Sequence, residues 1–280
     1  MTLWELSRRV VRDAAEDDLI ERASGLAFDF LLALFPFLVF LLALFGLFAS
    51  RRVQLRTGLL SYFSDFLPPL AFELLKNTTE ELAKTSSGGK LTIGILVALW
   101  FASGGVASMI STLHVAYRIK DERSWLHVRA IALGLTLLIS IFIFSAMCLV
   151  LAGGIVIDWI GMELQLASAM VAIWKALQWP AAALFVVFSH ALIYSCGPNA
   201  PRGRWYWIMP GSVFGAALWL AASAGFQIYL RYFNTYTAIY GSLGALVILV
   251  VWLYVSGLAF LIGGEINANL ERAAEKYRND

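Results

Sequence analysis

Three carboxylates stand at or beside long apolar stretches, and they are the first candidates for chemistry. Asp29 lies in ASGLAFDFLLALFPF, seven residues after Arg22 on the same helical face. Asp158 directly follows an apolar run. Glu265 shares a helix face with Asn269 at i, i+4, with Asn267 nearby, and sits just behind the pair Gly263–Gly264. An ionisable group inside a span is a functional position by default, because burying it is costly. All three lie near the ends of apolar runs, where water is within reach. Glu265 therefore has two readings. It is either an anchor hydrogen-bonded to a neighbouring helix terminus or part of a gate or substrate contact.

Other chemistry is thinly represented. There are three histidines, His114, His127 and His190, and none is paired at i+3 or i+4 with another histidine, a cysteine or a carboxylate. No zinc-type or di-metal constellation follows from such spacing. His114 and His190 are expected to hydrogen-bond within a helix bundle rather than to hold a ligand. No P-loop, GxGxxG, GxSxG or HExxH is present. The glycine pairs lie in apolar segments, not at strand–helix turns. Cys148 and Cys196 fall at different levels of their runs, which argues against a structural disulfide. No metal and no cofactor is expected.

The segments that must position these residues are unusually apolar. The chain has 280 residues, 60% hydrophobic and 14% charged, with a mean hydropathy of +0.75. A soluble globular chain carries roughly a quarter of its residues as charges. No Asp, Glu, Lys or Arg occurs in Phe30–Ser50, Leu91–Tyr117, Ala130–Ile157, Ala176–Pro201, Trp205–Leu230 or Tyr232–Gly264. Each run has the roughly 20 residues a helix needs to cross a hydrocarbon core. In lipid the backbone must satisfy its own hydrogen bonds, so such runs become helices. The sequence predicts an all-α polytopic membrane protein with six transmembrane helices in one bundle, forming a single domain over 1–280. The spans are placed near 27–49, 91–115, 130–155, 171–195, 208–229 and 242–264.

Outside the spans, MTLWELSRRVVRDAAEDDLIERAS has no secretory-signal pattern. Leu3, Leu6, Val10 and Ala14 recur at helical spacing against Arg8, Arg9, Arg12, Asp13, Glu16 and Asp17. This predicts an amphipathic helix, either along the membrane surface or simply solvated. Short basic loops stay cytoplasmic. Arg118, Lys120, Arg123 and Arg129, then Arg202 and Arg204, then Arg272, Lys276 and Arg278 therefore put both termini inside. The segment 50–90 disagrees, carrying Arg51, Arg52, Arg56, Lys76, Lys84 and Lys90 on the outer side. Longer loops translocate with less regard to charge. Its apolar spacing around Pro68–Pro69 predicts two short helices in this extracytoplasmic loop.

Small residues let helices approach closely in lipid. Gly211 and Gly215 form a GxxxG, Gly241–Ala245 is a small-xxx-small pair, and Gly263–Gly264 ends the last run. ASGGVAS, with Ser103, Gly104 and Gly105 at its centre, is either a tight packing face or a cavity wall. Pro36 and Pro180 are expected to bend the first and fourth spans, and Pro210 to start the fifth. Gly263–Gly264 are expected to let another helix, the first span, press against the last, with Asp29 at a depth similar to Glu265.

These stretches resemble a known family. ASGLAFDFLLALFPF, LWFASGGVASMISTLHVAYRIKDERSW, CGPNAPRGRWYWIMPGSVFGAALWLAASAGFQIYL and YGSLGALVILVVWLYVSGLAFLIGGEINANL together resemble the YihY/BrkB family, over about residues 20–272. The specific pieces are Pro198–Asn199, Pro210–Gly211, Tyr240–Gly241–Ser242 and Gly264–Glu265 with Asn267. Many relatives have tyrosine where this chain has Phe28 or Asp29. The resemblance implies six helices and the bacterial inner membrane. Family members carry the labels ribonuclease BN and serum-resistance virulence factor.

The sequence-level expectation is a non-enzymatic protein moving a lipid or other amphipathic small molecule, with Asp29, Pro36, Ser103, Gly104, Gly105, Tyr240, Glu265 and Asn267 as candidate substrate or gating residues. Its expected partners are membrane lipids, with a homo-oligomer or a periplasmic protein as further possibilities and no nucleic acid. A scaffold docking a periplasmic partner through 50–90 is one alternative. A membrane-bound ribonuclease is the other, and the cytoplasmic segments lack the acid–base or metal-ligand spacing it would need.

Overall fold

Each apolar run lies largely within a helix that is longer than the run itself. The computed structural model describes residues 3–49, 88–163, 168–199, 205–232 and 235–279. Among the described residues the chain is helical, with no strand. The helices are α1 (Leu3–Glu16), α2 (Leu19–Ala49), α3 (Gly88–Ala116), α4 (Trp125–Glu163), α5 (Ser168–Cys196), α6 (Trp205–Tyr232) and α7 (Thr235–Asn279). Helices α2 to α7 are each long and apolar enough to cross a membrane, the six-span arrangement that composition predicts. The expected short helices at 50–90 fall almost entirely outside the described residues.

The chain divides into two compact units. One holds residues 1–31 and 104–280, and the other residues 32–103. Within the first, α4 packs on α5, α5 on α6, α6 on α7, and α1 on α7. Its core joins Leu19, Ala23 and Leu26 of α2 with Leu113, Ala191, Tyr194, Ile208, Phe260 and Leu261.

Local signals set the ends that matter. Asp18 adopts a left-handed φ of 51° between α1 and α2, a conformation Asp tolerates better than most residues. Arg22 ties the corner by donating from Nε to the Asp17 carbonyl at 2.8 Å. Helix α3 ends with Arg118 at φ 54°. There the Arg118 amide bonds Val115 O at 2.8 Å and the Ile119 amide bonds His114 O at 2.9 Å, a Schellman closure. Ser124 caps α4, its Oγ accepting from the His127 amide.

Several boundaries differ from expectation. Helix α2 starts at Leu19 rather than near 27, because the polar turn Glu21–Ser24 remains helical once the corner fixes it. Pro36 and Pro180 lie inside continuous helices. Pro210 is the sixth residue of α6 and the third of its apolar span, Ile208–Tyr229, in keeping with the expectation that it stands at the start of the fifth span. Helix α7 runs to Asn279, well past Gly264, the last residue of its charge-free run.

Candidate functional site

Two polar assemblies and one tight helix crossing organise the end of the bundle where both termini meet. The crossing is between α6 and α7. A Cβ on Gly211 would lie 2.2 Å from the Gly263 carbonyl oxygen and 2.4 Å from Asn267 Oδ1. A Cβ on Gly263 would meet the Tyr194 hydroxyl at 2.5 Å and Gly211 O at 2.7 Å. Gly215 lies beside the same hydroxyl, and Gly264 faces Leu113 and Tyr194. The helix pressing on Gly263 is therefore α6, not the first span. The first span approaches α7 higher up, where Gly257 faces Ala23 and Leu26.

Polar groups lock the crossing. The Gly211 amide donates to Asn267 Oδ1 at 2.8 Å, and Tyr194 donates its hydroxyl to the Phe260 carbonyl at 2.6 Å. Further along, Trp219 Nε1 donates to Ser256 Oγ at 3.0 Å and Trp252 Nε1 to Ser223 Oγ at 3.2 Å, a reciprocal pair between the same helices. In lipid an indole N–H has no water to turn to, so each serine fixes the register.

The first polar assembly joins α1, α3 and α7. Arg272 donates from Nη2 to Asp13 Oδ2 at 3.0 Å and from Nη1 to the Ala116 carbonyl at 3.0 Å. Its Nη2 stands 3.8 Å from Glu265 Oε2. Arg118 pairs with Glu16 at 3.0 Å and lies 3.7 Å from both Asp13 and Asp17. Asn269 Nδ2 donates to the Glu265 carbonyl at 3.1 Å. Glu265 is 0% exposed, so the sequence expectation of a rim carboxylate near water is corrected: α1 and the α1–α2 corner cover it. Asp13, counted with the polar face of α1, is buried as well. It follows Val10 by three residues and so falls on the packed face. Beside this assembly, burial first and then the Glu271 and Glu265 carboxylates push the Tyr117 hydroxyl well above its ordinary pKa, keeping it protonated.

The second assembly clips the α3–α4 loop to the end of α5. Arg123 makes a forked pair with Asp121 at 2.8 and 2.9 Å and donates to Gly197 O at 2.7 Å. The Asn199 amide donates to His114 Nε2 at 3.2 Å. His190 bonds the Val186 carbonyl at 2.9 Å and stays within the aromatic cluster of Tyr194 and Phe260.

Asp29 belongs to neither. It is half-buried and accepts a short hydrogen bond from Ser108 Oγ. It lies beside Ser108 of α3, whereas Gly264, the neighbour of Glu265, faces Leu113, five residues further along the same helix. The two carboxylates are therefore offset by more than one helical turn, about 7 Å along α3. On α3, Ser103 is buried and donates to Trp100 O at 2.7 Å. Gly105 is buried too, while nothing lies within 4 Å of a Cβ on Gly104. Tyr240 and Gly241 fall in the second turn of α7, and Pro36 in mid-α2.

A family model described as virulence factor BrkB matches residues 10–280. The chain belongs to the virulence factor BrkB family. Among similar curated proteins is YfkH of Bacillus subtilis (strain 168), whose name calls it ribonuclease-like. It is 33% identical over 260 residues, covering 90% of each chain. A UPF0761 membrane protein of Verminephrobacter eiseniae (strain EF01-2) is 28% identical, covering 95% of this chain and 62% of its own length. A UPF0761 membrane protein of Tolumonas auensis is 26% identical over 89% of this chain and 79% of its own. No solved structure matches the chain.

In this BrkB-family chain, residue typing alone missed Asp13, Asp17, Tyr117, Arg272 and Tyr194. Arg272 carried a usable signal, standing seven residues after Glu265 and three after Asn269 on one helix face. Tyr194 carried none. Among the described residues no group of three His, Cys, Asp or Glu side chains is placed to hold a metal.

Proposed function

We propose that this BrkB-family membrane protein moves a lipid or another amphipathic molecule across or out of the bacterial inner membrane, without covalent chemistry. The observation that carries the reading is Asp29. An ionisable side chain within a spanning helix is expensive and is kept where it contacts something that moves. Asp29 is half-buried, next to Phe28, which is 60% exposed. Its hydrogen-bond partner Ser108 lies four residues from Gly104, whose open side leaves room on the same face of α3. A carboxylate reachable beside an apolar surface suits a molecule with a polar or cationic head and a greasy body. In this reading the end where Asp13 meets Arg272 is cytoplasmic, in keeping with its basic loops.

Reconstituted vesicles provide the test. Head-group-labelled lipid is expected to cross faster in vesicles holding the wild-type chain than in empty ones, and Asp29→Asn is expected to lose most of that gain. Wild-type vesicles no faster than empty ones would end the proposal. Equal rates for wild type and Asp29→Asn would remove Asp29 from the path.

A further inference from the structure

Helix α1 has two distinct faces, and only one of them is taken up by the protein. Val10 and Asp13 are buried, and Leu6 and Ala14 beside them are half-buried. This is the apolar face that the sequence pattern offers to a membrane. In the fold α1 packs on α7 instead, with Asp13 held by Arg272 at 3.0 Å. That face is therefore closed to lipid. The opposite stripe is Trp4, Arg8, Val11 and Ala15, whose spacing of four, three and four residues puts them on one side of the helix. All four are exposed, Trp4 by 77% and Val11 by 70%.

Charge and position limit what can cover this stripe. Arg8 at its centre and Arg9 beside it are exposed, and among the described residues neither has an ion-pair partner. Arg12, by contrast, is engaged by Asp13 and Glu16 at 3.2 and 3.5 Å. Helix α1 ends at Glu16 and the apolar span of α2 begins at Leu19. Three residue steps reach at most about 10 Å, so α1 stays at the boundary between bilayer and water. The first turn of α2 also exposes Ile20, by 69%. An indole settles at head-group level, and apolar side chains mixed with unmatched arginines suit a negatively charged leaflet. We propose that the outer stripe of α1 docks on anionic lipid, with Arg8 and Arg9 pairing with lipid phosphate while Trp4 and Val11 enter the head-group boundary.

Helix α1 then contacts the leaflet on one side and α7 on the other. An arginine near an anionic leaflet raises occupancy about fivefold, so Arg8 and Arg9 together contribute roughly 25-fold. A neutral leaflet leaves only the burial of Trp4 and Val11. Added salt screens the arginines and weakens the docking. None of this depends on which molecule the protein moves, and none of it involves Asp29.

The test uses the full chain with Cys148→Ser and Cys196→Ser, carrying a nitroxide at Val11→Cys or Ala15→Cys. It is placed in nanodiscs of phosphatidylcholine or of an equal mixture with phosphatidylglycerol. In the mixed discs both nitroxides are expected to be relaxed more by oxygen than by a water-soluble nickel chelate, as for groups below the head groups. In phosphatidylcholine discs, or in mixed discs with Arg8→Gln and Arg9→Gln, nickel access should rise severalfold. Nitroxides that nickel reaches freely in the mixed discs overturn the proposal. Equal immersion in both lipids refutes the pairing of the arginines with an anionic leaflet. Nitroxides hidden from oxygen and nickel alike would mean that a second copy or another protein covers the stripe, which also overturns it.

Discussion

Replacing Gly211 by alanine tests the α6–α7 crossing directly. The new methyl would stand 2.2 Å from the Gly263 carbonyl and 2.4 Å from Asn267 Oδ1. Ordinary contact lies beyond about 3.4 Å, so the helices must separate by about 1 Å or tilt, and a packed interface resists either. Overpacking of this kind costs about 1–3 kcal/mol. Separation also stretches the Gly211 N–Asn267 bond, now 2.8 Å, worth about 0.6 kcal/mol among membrane helices. Against this, alanine in a helix gains about 1 kcal/mol over glycine. Gly225 calibrates that gain, because it lies in the same helix with nothing within 4 Å of its Cβ. The two Gly→Ala variants should therefore differ by about 2–4 kcal/mol, the sum of the overpacking and hydrogen-bond terms. Reversible unfolding in mixed micelles, or steric trapping in bicelles, measures both on one scale. If Gly211→Ala proves as stable as Gly225→Ala, the close approach is not a feature of the folded protein.

Two further perturbations follow from the same geometry. Tyr194→Phe removes the hydroxyl that sits 2.5 Å from a Cβ on Gly263, so it should partly offset Gly263→Ala. A double-mutant cycle should show coupling of about 0.5–3 kcal/mol, and strict additivity would contradict the contact. At the α3–α4 loop, the Arg123 side-chain hydrogen bond holds the Asp121 carboxyl below the usual carboxylate range. The folded form thus binds that proton more weakly than the unfolded one. Its contribution is present at neutral pH and lost as pH falls through the lowered value. Stability measured on acidification should show a shallower loss in Asp121→Asn, and an unchanged acid slope would rule the pair out as its source.

The spans were legible because lipid imposes a demand that composition alone can meet. Residues such as Phe30–Ser50 have no alternative to helix once charge is absent for 21 residues. Helix ends were less legible, because they depend on partners. The start of α2 at Leu19 needs the Asp18 corner and the Arg22 tie, and neither residue type announces them. The glycines of the α6–α7 crossing were visible as small residues, but which helix each would face was not. Gly263 could be assigned to α6 only through Gly211 and Gly215. Glu265 drew attention by its type, yet the helix α1 that covers it comes from some 250 positions away along the chain. A helical wheel sorts Asp13 by character, whereas its burial is decided by Arg272 waiting across the interface. Charge class is local information, and pairing is not.

Helix α7 has 45 residues, which at helical rise is about 67 Å. A bilayer with its head groups is roughly 40–45 Å thick, so this rod overhangs the membrane. It carries α1 at one end through Arg272 and α6 along its middle through Gly263 and the tryptophan–serine pairs. Pivoting it by five degrees about its centre would sweep each tip through about 3 Å, a displacement comparable to a side chain's reach. Such a member has the shape of a lever: one continuous helix joins the end held at Arg272 to the end near Thr235.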